Sequence, residues 1–342
     1  MADKRYDEVY DIHMAHFDEI PIIMDFMGKE WKAGHILSYN RAFFEYQYCN
    51  GENVNMILAF RKGTGELEGF LGFIPANNES PQDTWGSMWK IRNNNMLFLG
   101  TELMQRLLEH LHCRTYIGVG INMTTTGKIV GKRFNWIIGR MKQWYILNQH
   151  INYKIAVIKN NAPCVPHQPD IKEYKIEKAT NFDALASVFN FENYKSMRPY
   201  KDGIYIKNRY FDHPFFHYDV FAVLDSKSQA SAFFVMREIY LEGAKVIRLV
   251  DFVGNKELIK YIGIWLKNYL GIQKAEYIDF YEYGFSDECL KEAGFTERML
   301  EDENIIPNYF SPFVQKNIEI YFHAPDHDVT ICKADADQDR PN

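Results

Sequence analysis

Two charged residues stand inside one of the most apolar runs of the sequence. Arg248 and Asp251 lie three apart in AKVIRLVDFV, at residues 244–253. This run is typical of a buried strand, and a regular strand would point the two side chains to opposite faces of its sheet. Because a charge buried without a partner is costly, we expect Asp251 either at a cleft, where it could accept a proton, or in an ion pair.

Glu45 and His217 are the other candidate bases. Each belongs to an aromatic run, residues 43–46 and 215–218, and each could take a proton from an attacking group. A histidine in HPFFHYD is also typical of a packed core side chain, and the same alternative applies to His35.

Metal, disulfide and common nucleophile motifs are missing. The five cysteines are widely spaced without C-x-x-C, which indicates reduced thiols. Asp335, Asp337 and Asp339 have the spacing of a calcium loop, but Arg340 stands where glycine is needed and no glutamate follows. We therefore expect no metal. The Asp-rich tail is either solvated, or Asp335 and Arg340 fold back to cap a site.

Length and charge limit the classes of function. The 342 residues suggest about two domains, and the formal net charge of -6 counts against a nucleic-acid partner. A small phosphorylated ligand remains possible, since helix N-termini and a few cations suffice to bind one. Because no signal peptide or membrane-length apolar stretch is visible, we expect a cytoplasmic protein without a membrane span.

Apolar periodicity places these residues on two similar series of elements. In the first half it predicts a helix-compatible segment at 1–30, a second helical stretch at 35–48, strands at 54–61, 67–75 and 85–92, a helix at 99–112, a strand at 115–121 and a helix at 124–134. In the second half it predicts a helix at 181–195, strands at 219–225, 229–238 and 244–253, a helix at 256–270, a strand at 275–283 and a helix at 286–293. Three prolines at 160–170 predict a linker. The expected domains are 1–160 and 171–325, followed by a tail at 326–342.

The two halves also match each other in sequence. Residues 58–60 match 221–223, and residues 69–71 match 232–234, both at an offset of 163 (221 minus 58, 232 minus 69). Upstream, residues 43–46 match 215–218 at an offset of 172, because the connecting loop differs in length. A repeat period this long favours a duplicated domain over a short-period solenoid. Chance similarity of two apolar hairpins is the alternative.

The element order, the hairpin LAFRKGTGELEGFLGFIP and the helix GTELMQRLLEHL resemble the GNAT acyltransferase fold. In the second half, RLVDFVG, YIDFYEYGF, LKEAGF and IPNYFSPF are similar to tandem-GNAT and FemAB-like proteins of bacterial surface-polysaccharide pathways. The resemblance implies an α/β (α+β) protein with two GNAT-like domains. Each domain would be a mixed, mostly antiparallel twisted sheet flanked by helices.

The resemblance also implies a site for acetyl-CoA or another acyl-CoA. The family binds CoA through a Q/R-x-x-G-x-G/A loop before its central helix, and the corresponding residues here are 95–100. Only Gly100 matches, since Phe98 replaces a glycine and Asn95 replaces Gln or Arg; Arg92 could supply the missing cation. The predicted cofactor-binding residues are Arg92, Asn95, Leu99, Gly100 and Thr101. The second half offers only Gly254-Asn255-Lys256, so at least one half is expected to be a degenerate copy.

Asn122 follows the strand TYIGVGI at the position of an asparagine that the GNAT fold often uses, although it equally fits a helix N-cap. The tyrosine that often serves as acid is missing from the next helix. The resulting catalytic candidates are Asn122, Asp251, Glu45 and His217. The substrate-binding candidates are Trp89, Arg248 and Tyr283. Trp85 and Trp89 could line a sugar or pantetheine cleft or pack in the core.

The function implied by the resemblance is N-acyl transfer to an amino group of a nucleotide-linked sugar, with a homodimer possible. One alternative is FemAB-like aminoacyl transfer from charged tRNA, against which the acidic charge counts. Another is a non-catalytic double-GNAT scaffold or binding protein, which the degenerate loop at 95–100 would favour.

Overall fold

The computed structural model describes residues 5–93, 96–160, 166 and 174–341. These residues form two compact units. The first comprises Met1–Ile137, His323–Pro325 and Arg340–Asn342, and the second comprises Ile138–Phe322 and Asp326–Asp339. The predicted linker at 160–170 lies outside the described residues except for Asn160 and Pro166.

The first sheet is built mainly from the first half of the chain. Its strands in that half are β1 (Tyr10–His16), β2 (Cys49–Asn50), β3 (Asn53–Arg61), β4 (Leu67–Pro75), β5 (Asp83–Ile91), β6 (Thr115–Val119) and β7 (Ile137–Arg140). The helices of that half are α1 (Arg5–Val9), α2 (Ile20–Phe26), α3 (Ile36–Tyr39), α4 (Arg41–Tyr48), α5 (Leu99–Leu111) and α6 (Lys128–Arg133), with a π-helical turn at Met123–Gly127.

The second half supplies the remaining elements. Its strands are β8 (Lys142–Leu147), β9 (Lys175–Ala179), β10 (Asp219–Leu224), β11 (Ala230–Leu241), β12 (Ala244–Gly254), β13 (Tyr277–Tyr283), β14 (Thr296–Glu297), β15 (Tyr309–Phe310), β16 (Phe313–Val314), β17 (Tyr321–Ala324) and β18 (Ile331–Cys332). Its helices are α7 (Phe182–Val188), α8 (Gly203–Ile206), α9 (Ile259–Gln273) and α10 (Asp287–Glu292), with single helical turns at Phe191–Tyr194, Lys207–Phe211 and Lys256–Leu258.

The first sheet has the order β1-β3-β4-β5-β6-β17-β7, and β2 pairs with β3. The predicted hairpin forms as β3 and β4, and its apolar side chains pack against α2, α3 and α4. Residues 10–16 form a strand along β3, so the helix predicted across residues 1–30 is wrong there. The helical spacing behind the prediction lies at residues 20–27, where α2 forms. At residues 10–16 the edge of β3 provides the hydrogen bonds that make a strand instead.

The second sheet has the order β14-β8-β13-β12-β11-β10-β9, and β18 pairs with β13. Strand β8 runs antiparallel to β13, so residues 142–147 add to this sheet although they precede the predicted linker. Apolar residues of α9, including Ile262 and Leu266, pack against one face of the sheet with Phe234 and Leu249. Across the described residues, no helix combines the length and the hydropathy needed to span a membrane.

Candidate functional site

The parallel strands β5 and β6 separate near the centre of the first sheet. They pair over four rungs, from Asp83 opposite Thr115 to Gly86 opposite Gly118. Beyond Gly86, β5 continues to Ile91 with β4 as its partner, and a bulge near residues 87–88 leaves one extra residue on β5. A bulge leaves backbone groups unpaired, and ligands of open sheets bind where the carboxyl ends of parallel strands part. We call this place the β5–β6 opening.

Helix α5 begins after β5, at this same end of the sheet. Its preceding residue, Phe98, has a φ of 65°, in the left-handed region that favours glycine. The backbone conformation expected of a glycine is therefore kept, although phenylalanine occupies the position. Among the described residues no side chain caps the helix, and the first helical hydrogen bond runs from Glu102 N to Phe98 O. The amides of Gly100 and Thr101 are consequently available to an anion at the helix N-terminus.

Gly100 allows α5 to approach β5 closely. A Cβ atom on Gly100 would lie 3.0 Å from Trp89 Nε1 and 3.2 Å from Ile91 Cγ1. The Trp89 indole N–H is buried and has no hydrogen-bond partner among the described residues. The structure thus brings together four predicted residues at one helix end: Trp89, Leu99, Gly100 and Thr101. Trp85, in contrast, is fully buried in the core.

A cleft of 520 Å³ adjoins this end of α5. We call it the basic cleft; its lining residues are Arg5, Tyr6, Phe98, Thr101, Glu102, Gln105, Lys128, Ile129, Lys132 and Arg133. Within the part of the chain that the structure describes, the exposed Lys128, Lys132 and Arg133 have no ion-pair partner. The carboxylate of Glu102 bonds to Arg106 at 2.8 Å. The cleft is therefore locally positive in a chain of net charge -6.

The three cations of α6 were absent from the predicted site. The signal for them was present, because GKIVGKR at 127–133 concentrates three positive charges in seven residues after a buried strand. Single sequence positions did not reveal that α6 would place them beside α5.

Other predicted cofactor and catalytic residues of the first unit have partners of their own. Arg92 lies 3.3 Å from Glu30 and 3.3 Å from Glu66. Asn95 lies outside the described residues. Asn122 accepts from Thr124 N at 2.8 Å and from Thr125 N at 3.2 Å, so its oxygen caps the turn that precedes α6. Asn122 therefore has the N-cap role that the sequence indicated as the alternative to catalysis.

Glu45 forms an ion pair with Arg41 one turn earlier on α4. His35 is 1% exposed and accepts from Leu37 N, which confirms that it is packed. The packed alternative is wrong for His217, whose side chain is 89% exposed. His213 in the same segment is half-buried, and that burial together with the nearby Arg209 lowers its pKa to about 3.

In the second unit, Arg248 and Asp251 lie on the same face of β12, so the prediction of opposite faces is wrong. Leu249 pairs with Met236 and Asp251 pairs with Val235, which leaves Val250 as an extra, bulged residue. A bulge shifts the alternation of side chains by one position. Both charged residues consequently face the same polar layer.

Both Arg248 and Asp251 have charged partners in that layer. Arg248 donates to the Asp279 carboxylate through Nε and Nη2, both at 2.9 Å. Asp251 accepts from Lys201 Nζ at 2.7 Å and from the Tyr210 hydroxyl at 2.6 Å. Asp251 therefore follows the ion-pair alternative of the sequence.

The Asp-rich tail is buried, so the expectation of a solvated terminus is wrong. Asp335, Asp337 and Asp339 are all buried, and Asp339 accepts from Arg237 Nε and Nη2 at 2.9 and 2.6 Å. Arg340 lies over the ring of Trp31 in the first unit.

Asp251, Cys332 and Asp335 are close enough to share a metal ion. However, the Lys201 ammonium already contacts both carboxylates, at 2.7 and 2.6 Å.

The remaining predicted substrate residue, Tyr283, lies at the end of β13. Its hydroxyl is 2.8 Å from His327 Nδ1, and its ring packs against Phe322. The predicted site residues therefore separate into two groups. Trp89 and the start of α5 form one end of the first unit, whereas Arg248 and Asp251 belong to a buried charged layer in the second.

No protein-family model matches the sequence, and no curated protein matches it. Solved structures share the fold. A probable N-acyltransferase from Enterococcus faecalis aligns at 7% identity over 92% of this chain and 72% of its own, with a TM-score of 0.56. A GCN5-related N-acetyltransferase from Anabaena variabilis aligns at 10% identity over the same shares, also with a TM-score of 0.56. The predicted fold class, two GNAT-like α+β units, is confirmed.

Proposed function

We propose that this chain is a GNAT-type N-acyltransferase that binds acyl-CoA in its first unit. The observation that carries the proposal is the uncapped N-terminus of α5 beside the basic cleft, at the opening between β5 and β6. Fold similarity alone does not assign an activity, so the proposal depends on this local chemistry.

The cleft and the opening fit the two parts of a CoA molecule. The nucleotide end carries three phosphate groups, which suit helix N-terminal amides and unpaired Lys and Arg side chains. The pantetheine arm is extended and contains two amides. It can bond to the edge of β5 that faces away from β4, at residues 88–91, in the manner of an added strand.

The reaction that follows is direct transfer to an amine. The amine nitrogen attacks the thioester carbon and a C–N bond forms. The C–S bond breaks, CoA leaves as its thiolate, and the proton lost by the amine balances the protonation of that thiolate to the thiol. We propose, from the sequence resemblance, that the acceptor is an amino group of a nucleotide-linked sugar in surface-polysaccharide biosynthesis. Incubation with acetyl-CoA and a panel of amino-sugar nucleotides, followed by mass spectrometry for an added acetyl group, tests this acceptor class. An amine panel in which only non-sugar amines react would exclude it.

Calorimetric titration with acetyl-CoA tests the donor. We expect binding by the wild type, and an affinity loss of about tenfold or more in Lys132→Glu/Arg133→Glu, since two phosphate-facing charges are reversed. Lys267→Glu, at an exposed lysine on α9, is the matched control and should bind normally. Wild type that fails to bind at millimolar acetyl-CoA, or equal affinities of all three proteins, would refute the proposal.

A further inference from the structure

The second unit contains the same parting of parallel strands as the first. Strands β12 and β13 pair over three rungs, from Ile247 opposite Ile278 to Leu249 opposite Phe280. Beyond these rungs both strands continue, β12 to Gly254 and β13 to Tyr283. We call the space between these continuing ends the β12–β13 slot.

Residues 329–335 fill this slot, and we call them the inserted segment. Strand β18 pairs antiparallel with the end of β13, with Cys332 opposite Glu282. On the other side, Ala334 N donates to Val250 O at 2.9 Å. Val250 is the bulged residue of β12, so the segment uses the backbone carbonyl that the bulge frees. The segment thus hydrogen-bonds to both separated strands.

A buried ion cluster holds the segment in place. The Lys201 ammonium lies 2.7 Å from the Asp251 carboxylate of β12 and 2.6 Å from the Asp335 carboxylate of the segment. All three side chains are buried. Arg209 adds two hydrogen bonds to Ala334 O, at 3.1 and 3.0 Å.

The N-terminus of the helix that follows β12 is also occupied. Asn255 caps its first turn by accepting from Glu257 N at 3.1 Å. Lys256 Nζ donates to Gly284 O at 2.6 Å and to Thr330 Oγ1 of the segment at 3.0 Å. In the first unit no described side chain caps the corresponding helix end. The amide and the cation that could hold a phosphate are therefore already used in the second unit.

We propose that the inserted segment is a built-in occupant of the β12–β13 slot, so that the second unit takes no acyl-CoA and the chain binds one acyl-CoA, in the first unit. The part concerning acyl-CoA rests on the proposed function. The occupied slot itself stands on the hydrogen bonds and the ion cluster.

Hydrogen exchange tests the occupied slot without any ligand. In the wild type, the amides of Cys332 and Ala334 should exchange as slowly as those of β13. Lys201→Met leaves two buried carboxylates facing each other, and should raise exchange of the segment on the order of a hundredfold, since breaking a buried ion pair is strongly destabilising. Asp335→Asn is the matched variant, because it keeps the Lys201–Asp251 pair, and its effect should be much smaller. Fast exchange in the wild type, or unchanged exchange of the segment in Lys201→Met, would overturn the proposal.

Calorimetry tests the stoichiometry. Wild type should bind one acetyl-CoA per chain, and Lys132→Glu/Arg133→Glu should retain no second site of wild-type affinity. Two molecules per chain, or a full-affinity site remaining in that variant, would contradict a closed second unit. If the wild type binds none, the proposed function fails, whereas the exchange data still decide whether the slot is occupied.

Discussion

Replacing Arg248 by methionine should destabilise the second unit by several kcal/mol. The Arg248 and Asp279 side chains are 3% and 0% exposed and are joined by two hydrogen bonds of 2.9 Å. Arg248→Met leaves the Asp279 carboxylate buried without its cation, and such a loss costs about 3–5 kcal/mol. The Arg248 guanidinium also donates to Asn308 O at 3.3 Å, which adds to the loss.

The double variant Arg248→Met/Asp279→Leu distinguishes the cost of leaving one buried charge unpaired from the cost of removing both charges. With both charges gone, no unpaired ion remains, and apolar replacement of a buried pair is often close to neutral. We expect the double variant to be more stable than Arg248→Met by about 2 kcal/mol or more. The carbonyl of Asn308 loses a donor in both variants, so it cancels in this comparison.

Native-state hydrogen exchange of β12 and β13 amides, together with urea unfolding, measures these differences within the second unit. A substrate-binding Arg248, as predicted from the sequence, would give the opposite pattern, in which stability is kept and transfer is lost. A loss below about 1 kcal/mol in Arg248→Met, or a double variant as unstable as the single, would refute the structural role.

Two further predictions concern the first unit. Gly100→Val should weaken acetyl-CoA binding by about tenfold or more, because the new Cβ would lie 3.0 Å from Trp89 and push α5 away from β5. Gly271→Val is the control, since no atom lies within 4 Å of a Cβ placed there. Equal losses of affinity in the two variants, measured by calorimetry, would contradict this reasoning. Burial lowers the pKa of His323 from 6.5 to about 3. The unfolded chain therefore binds the proton first as the pH falls, and stability should decrease below about pH 6.5 by up to about 1.4 kcal/mol per pH unit from this group. Urea midpoints of wild type and His323→Gln between about pH 7 and about pH 5 measure the slope, and identical slopes would refute the assignment.

The sequence alone determined the elements whose signal is local. The hairpin of β3 and β4 follows from two apolar runs around a short glycine turn, and α5 follows from apolar residues on one helical face, including Leu103 and Leu107. The GNAT resemblance depended on the order of such elements. Local periodicity is sufficient for them because the backbone repeat itself sets which side chains share a face.

Only the tertiary structure decided which charged groups meet. The bulge at Val250 placed Arg248 and Asp251 on one face, and its signal lies in the pairing with β11 rather than in the sequence of β12. Asp335 is buried because Lys201, far away in the chain, supplies the cation that makes burial possible. The cations of α6 line a cleft only because the fold places α6 beside α5. The energy of a charge depends on its partners and on its removal from water, and long-range contacts determine both.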